Sequence, residues 1–432
     1  MKLAIGIAVV GVAVVLIALA ENAGRSQPRT FAPRIAVLPN AAKVFVGRDL
    51  QFRTALVGST QTSDITWSVV GPGSIDRNGL YHAGDAPATA DVVADAGGGL
   101  AASVTVASVR PPKLRHPLLL STCYEDGTIN VWDARTSQLN GAFSVGGQAA
   151  GIAVDARAGR AVIAADAQLL AVDLASMRWR ASSAVSGSRF SEVALLAGGY
   201  IAVTDNLAAS GKPGVRIFRI DASGAPTLVS SVAAGETPEG IAAADGGHTF
   251  YVTSINSNMV MRFAIDSAGR AHQTGVAQTA TRPFGVAVDP VHHVLFVADN
   301  DTSTLSGSRA HPGLEAFALP RMRRVGNIIS TGSGASLPLG VAVDPSEARL
   351  FVTNEGLADV AVFAIPSLRR IATLPAALTP WLPFLDAQQH RLYVPNARAN
   401  SISVYDTHTL RVIGTPLAAC SYPTSVALYG GA

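Results

Sequence analysis

From about residue 34 onward, apolar positions fall in short runs separated by Gly, Pro, Asn and Asp, the pattern of brief strands joined by turns. Between Arg34 and Arg110 the runs are Ile35-Ala36-Val37-Leu38, Leu50-Gln51-Phe52-Arg53, Ile65-Thr66-Trp67-Ser68-Val69, Asp91-Val92-Val93-Ala94 and Ala102-Ser103-Val104-Thr105-Val106. Such runs predict a small all-β sandwich, with Trp67 as its core tryptophan. Pro111-Pro112 then marks a boundary.

Beyond it the pattern repeats. Pro283-Phe284-Gly285-Val286-Ala287-Val288-Asp289-Pro290 matches Pro338-Leu339-Gly340-Val341-Ala342-Val343-Asp344-Pro345, and each is followed by an apolar strand, Val294 to Ala298 and Arg349 to Asn354. A third strand and a basic, β-branched fourth, such as Arg369 to Thr373, complete the unit. Weaker copies begin near Gly151, Ser191, Gly240 and Leu382, and a last half-copy runs from Pro423 to Tyr429. Four strands recurring every 40 to 55 residues is the period of propeller blades, whose sheets bury their faces only by stacking in a ring. Seven inner strands can be counted. The last has no partners after it, whereas Leu118 to Cys123, Thr128 to Trp132 and Gly141 to Val145 lack an inner strand before them. Pairing the two chain ends makes one blade from these orphans and removes exposed edges. The fold class expected is therefore all-β: a sandwich over 34–110, then a seven-bladed propeller over 116–432.

The motif Leu350-Phe351-Val352-Thr353-Asn354, with Tyr251-Val252-Thr253-Ser254 and Leu392-Tyr393-Val394-Pro395-Asn396, resembles the YVTN family of β-propellers of bacterial and archaeal surface proteins, related in form to lactonase-like propellers. The earlier segment resembles bacterial Ig-like repeats in the order of its motifs: Val46 to Phe52, the strand around Trp67, Gly73 to Tyr81, then Ala102 to Val106. These resemblances imply a binding ring preceded by a spacer without chemistry of its own.

Composition adds the compartment. Lys2 precedes an uncharged apolar stretch over residues 3–20 that ends in Ala18-Leu19-Ala20 before Glu21, the layout of a secretory signal and also near the length of a membrane anchor. Either reading exports the remainder to the periplasm, the cell surface or the medium, with residues 21–33 as a linker. A net charge of +3, with no basic run carrying interleaved aromatics, argues against nucleic acid as a partner. The two cysteines, Cys123 and Cys420, are expected to pair in an oxidising compartment, and the repeat register sets them on one face of the closing blade.

No nucleophile elbow, zinc-binding helix, phosphate loop or Cys-x-x-Cys motif is present. His248, His292, His293 and His390 fall in turns between first and second strands, a shared turn position more than a metal site. The opposite face collects the starts of the inner strands and the ends of the second strands. Register with Asn354 puts Cys123, Asp205, Ser254, Asp299 and Asn396 there; register with Leu339 adds Phe190, Glu239, Phe284 and Trp381. Asp205, Glu239, Phe284, Asp299, Asn354, Trp381 and Asn396 thus form a candidate ligand-binding mouth, although Asn and Asp also cap turns at such places. Asp299-x-Asp301-x-Ser303 alternates oxygen ligands as a calcium loop begins, but lacks the following Gly and a distal Glu, so calcium is the only cofactor suggested. Two functions remain open: an exported scaffold binding a protein, glycan or small molecule, and a metal-assisted lactonase using Glu239, Asp299 and Asn354. Redox or quinone chemistry is a distant third.

Overall fold

A computed structural model describes residues 34–39, 42–57, 64–207, 213–301 and 312–430. The expected signal or anchor and the linker lie outside these residues. The described chain is all-β, interrupted only by short 3-10 turns, and no helix in it is long and apolar enough to cross a membrane. It divides into two compact units at Val109/Arg110.

In the first unit, strand Arg34–Leu38 pairs with Arg53–Val57, and Ala88–Asp95 lies between Thr66–Val70 and Ala101–Val109. Ala42–Phe45 pairs with Ala101–Val109 in parallel. Apolar side chains alternate inward along Ala88–Asp95 and Ala101–Val109, as half-buried strands require. The core is built on Phe45, Phe52 and Tyr81 rather than on the expected tryptophan. Trp67 is only half-buried, and Gly79 runs along its ring so closely that a Cβ there would lie 2.9 Å from it.

The second unit is a series of antiparallel four-stranded sheets in which consecutive strands are neighbours, for example Pro338–Asp344, Arg349–Asn354, Asp359–Ala364 and Arg369–Pro375. The second strands are apolar up to their polar last residues and buried along nearly their whole length, because both their faces are covered by neighbouring sheets. The fourth strands, at the rim, are largely exposed. The last strand, Pro423–Tyr429, pairs antiparallel with Leu118–Cys123, so one sheet is assembled from both ends of the unit. First strands of successive sheets touch one another, and Pro423–Tyr429 touches both Phe384–Asp386 and Ala149–Asp155, which closes the series on itself.

Two devices recur where one sheet meets the next. The small residue of the Pro-x-Gly start is required by space: a Cβ on Gly240 would lie 2.2 Å from the Phe284 carbonyl oxygen of the next sheet, and one on Gly285 would lie 2.4 Å from that of Leu339. The Thr of the Val-Thr pair reaches across the same gap. Thr253 Oγ1 donates to Phe284 O at 2.6 Å while accepting from Gly240 N at 3.0 Å; Thr353 Oγ1 donates to Trp381 O at 2.8 Å while accepting from Gly340 N at 2.8 Å. Thr204 does the same with Glu239 O and Glu192 N, each at 2.9 Å, and Thr122 donates to Ala150 O. The second strand's Thr is therefore an inter-sheet bridge, and the motif's spacing follows from it.

Candidate functional site

The inner strands begin with a β-bulge that sets two residues against one of the second strand: the pairing is irregular between Phe190 and Val193, Pro238 and Ile241, Pro283 and Val286, and Pro338 and Val341. The bulge corrects one expectation. Phe190 pairs with Asp205 just as Pro338 pairs with Asn354, so Ser191, not Phe190, occupies the position of Leu339. Phe190 is a core residue packed edge-on against Phe218 with ring centroids 5.7 Å apart.

The ends of the second strands are where the register put them, and their side chains are buried. Asp205 accepts hydrogen bonds from Ser188 Oγ at 2.6 Å and Arg216 Nε at 2.9 Å, in a buried ion pair within its own sheet. Asn396 donates to Ser403 Oγ at 2.9 Å and accepts from Ala377 N at 3.1 Å. Asn354 donates to Thr331 O at 3.1 Å and to Asp359 Oδ1 at 2.6 Å. These three are spent on local structure, as side chains that cap strand ends are.

Asp299 is also fully buried, against Glu315, and burial together with that second carboxyl pushes its pKa up to about 10. Glu315 is held by Arg324 at 2.5 Å and by the Ala280 N–H at 2.5 Å. Asp301 is buried too; Ser303 lies outside the described residues. Among the described residues, the only three His, Cys, Asp or Glu side chains whose ligand atoms all lie within 4.8 Å of one another are Cys123, Asp126 and Cys420. Those cysteines are bonded to each other, with Cα atoms 5.8 Å apart, as expected from the register. Glu239, Asp299 and Asn354, the trio for a metal-assisted reaction, each engage partners of their own instead of converging.

Two clusters lie where inner strands begin: a carboxyl pair, Glu192 and Glu239, and an aromatic arc, Phe284, Trp381 and Tyr422. Glu239 accepts from Ser191 Oγ and from Asn206 Nδ2 at 2.9 Å. Glu192, at the bulge position that is glycine in four other sheets (Gly151, Gly240, Gly285 and Gly340), lies close enough for the charge of Glu239 to act on it. Desolvation is the larger cause, and the two together lift the Glu192 carboxyl to about 8. Glu239 is also raised by burial, but Ser191, Asn206 and the Arg189 guanidinium oppose the shift. Ionisation is thus helped at Glu239 by its hydrogen-bond donors and Arg189, and hindered at Glu192 by burial and by the charge of Glu239. In the arc, Phe284 meets Trp381 edge-on at 5.5 Å, and Trp381 meets Tyr422 at 5.9 Å. Phe284 and Trp381 come from sheets separated by a third in chain order. Sequence reasoning found Glu239, Phe284 and Trp381 but missed Glu192, Asn206 and Tyr422. A Glu in the place of a repeat glycine was the available signal for the first.

The sequence matches no family model and no curated protein. Solved structures do resemble it. A protein from Lactobacillus plantarum aligns over 73% of this chain and 99% of its own at 16% identity, with a TM-score of 0.61. The periplasmic gluconolactonase of Pseudomonas aeruginosa aligns over 72% and 98% at 14% identity and a TM-score of 0.59. A candidate 6-phosphogluconolactonase from Bacteroides uniformis aligns over 73% and 99% at 14% identity and a TM-score of 0.58. The neighbours are lactonase-like β-propeller proteins, and at these identities the likeness concerns the fold alone.

Proposed function

We propose that this chain is an exported protein with an Ig-like sandwich over 34–110 and a seven-bladed propeller over 116–432, and that the propeller's mouth hydrolyses a lactone of a sugar acid. The observation that carries the reading is the Glu192–Glu239 pair: burial and the charge of Glu239 lift the Glu192 carboxyl to about 8, while hydrogen bonds from Ser191 and Asn206 favour ionisation at Glu239 against the opposing effect of burial. Two neighbouring carboxyls whose environments divide one charge and one proton between them suit paired acid and base work. Glu239 would take a proton from water as the water oxygen bonds to the lactone carbonyl carbon. The ring C–O bond then breaks, and its oxygen takes the proton held by Glu192. The Phe284–Trp381–Tyr422 arc would seat the apolar face of the sugar ring. The lactonase names among the fold neighbours support the substrate class.

The arc also supports a second reading, a scaffold that binds a glycan at the same mouth without chemistry. Opening of glucono-δ-lactone, followed by acid release, separates the two. The hydrolase reading expects turnover above the spontaneous rate, reduced about 100-fold or more in Glu239→Gln and Glu192→Gln, the range that a general acid or base supplies. Turnover equal in both variants to that of the native protein overturns it. Saturable glycan binding without turnover moves the assignment to the scaffold.

A further inference from the structure

On the face away from the mouth, the turns joining first to second strands in adjacent sheets border an open pocket of about 670 Å³. It is lined by the turn Asp155 to Arg160, by the turn Leu195 to Tyr200 and by Arg219 on a third strand. Three guanidinium groups, from Arg157, Arg160 and Arg219, thus border one space. Among the described residues none of the three has an ion-pair or side-chain hydrogen-bond partner, whereas Arg216, Arg324 and Arg349 of the same unit are all paired with carboxylates. The one acidic residue of the lining, Asp155, is engaged in its own turn, where it accepts the Ala158 N–H at 3.1 Å. The lining carries a net charge of +2 at pH 7.

The walls are firm and the floor is bare. Tyr200 donates its hydroxyl hydrogen to Ser267 O at 3.1 Å, which fixes its ring, and the Arg219 guanidinium lies over that ring at 5.3 Å from the centroid. Gly199 and Gly246, both at positive φ, border the cavity, and a Cβ on either would meet nothing within 4 Å. Arginines without carboxylate partners around an open space bordered by glycines suit carboxylate and phosphate oxygens, which the guanidinium fork binds in bidentate fashion.

We propose that this cavity is a binding site for a small polyanion, a molecule carrying two or more carboxylate or phosphate groups. Calorimetric titration of the whole chain at low ionic strength with citrate, and separately with inorganic phosphate, tests it. Saturable binding of either probe that weakens with added salt is expected, citrate alone pointing to a polycarboxylate and phosphate alone to a phosphorylated ligand. Arg157→Gln, Arg160→Gln and Arg219→Gln should each weaken binding about tenfold, one charge-assisted contact apiece. Arg157 and Arg219 are exposed, so these two variants should fold as the native chain does, which circular dichroism checks. Glu239→Gln should leave the affinity unchanged, since it lies at the mouth. No binding of either probe at millimolar concentration, affinity that the arginine variants leave intact, or affinity abolished by Glu239→Gln each overturns the proposal.

Discussion

At the residue scale, the molecule turns on one departure from its own repeat. The bulge position of Gly240, Gly285 and Gly340 must be small where the next inner strand lies against it, yet the equivalent place in the preceding sheet holds Glu192. Its carboxyl is raised from 4.5 to about 8. Because the folded chain holds this proton more tightly than the unfolded one, the contribution to stability is complete below about pH 4.5 and is lost as pH rises through about 8. Glu192→Gln should therefore flatten the fall in melting temperature between about pH 5 and 8; a profile with the native slope would assign that fall to other groups. Asp205, Asn354 and Asn396 teach the opposite lesson. The repeat register set them at the ends of second strands, where they lie, but register does not reveal which partners a polar side chain finds, and each has its own. Glu192 escaped notice for a related reason, since a run of glycines makes its position look structural.

At the element scale, the strand pattern was legible because it is nearly redundant. Second strands read as unbroken apolar runs since both faces are covered, and the Asp closing several inner strands reads as a turn signal since it caps the next turn, as Asp289 does for the Val291 and His292 N–H groups. What the pattern could not show is why Val is followed by Thr. The hydroxyl's bond to the next sheet answers that, and it makes Thr253 and Thr353 costly to replace. Thr253→Val and Thr353→Val keep the shape but leave a buried carbonyl without its inter-sheet donor, so each should lower unfolding free energy by about 1–3 kcal/mol in urea titration. Thr249→Val, on the same second strand but bonded to Asp245 in a local turn, is the matched control and should cost less.

At the scale of the whole molecule, the ends of the propeller unit decide whether the rest holds. The sheet containing Leu118–Cys123 takes its inner strand from Pro423–Tyr429, and the Cys123–Cys420 bond ties residues 297 positions apart. A cross-link over so long a loop is worth up to about 5–6 kcal/mol in the chain-entropy account. Reduction should lower the melting temperature while leaving one cooperative transition, whereas deletion of everything after Ala418 should abolish that transition. A truncated chain with unchanged melting would show that the sheet closes without its last strand. The disulfide was legible in the sequence because only two cysteines had to be placed; the mouth's chemistry was not, because it rests on which atoms meet.

That bond also changes what kind of polymer the chain is. Between Cys123 and Cys420 the backbone is a covalent macrocycle with two tails, so a protease that cuts once in any loop of this span opens the cycle without dividing the molecule. Limited digestion should accordingly give material that migrates as one species on a non-reducing gel and as two after reduction. Only a second cut can release a fragment. A chain built this way would tolerate the first encounter with a protease, and its lifetime would be set by the second.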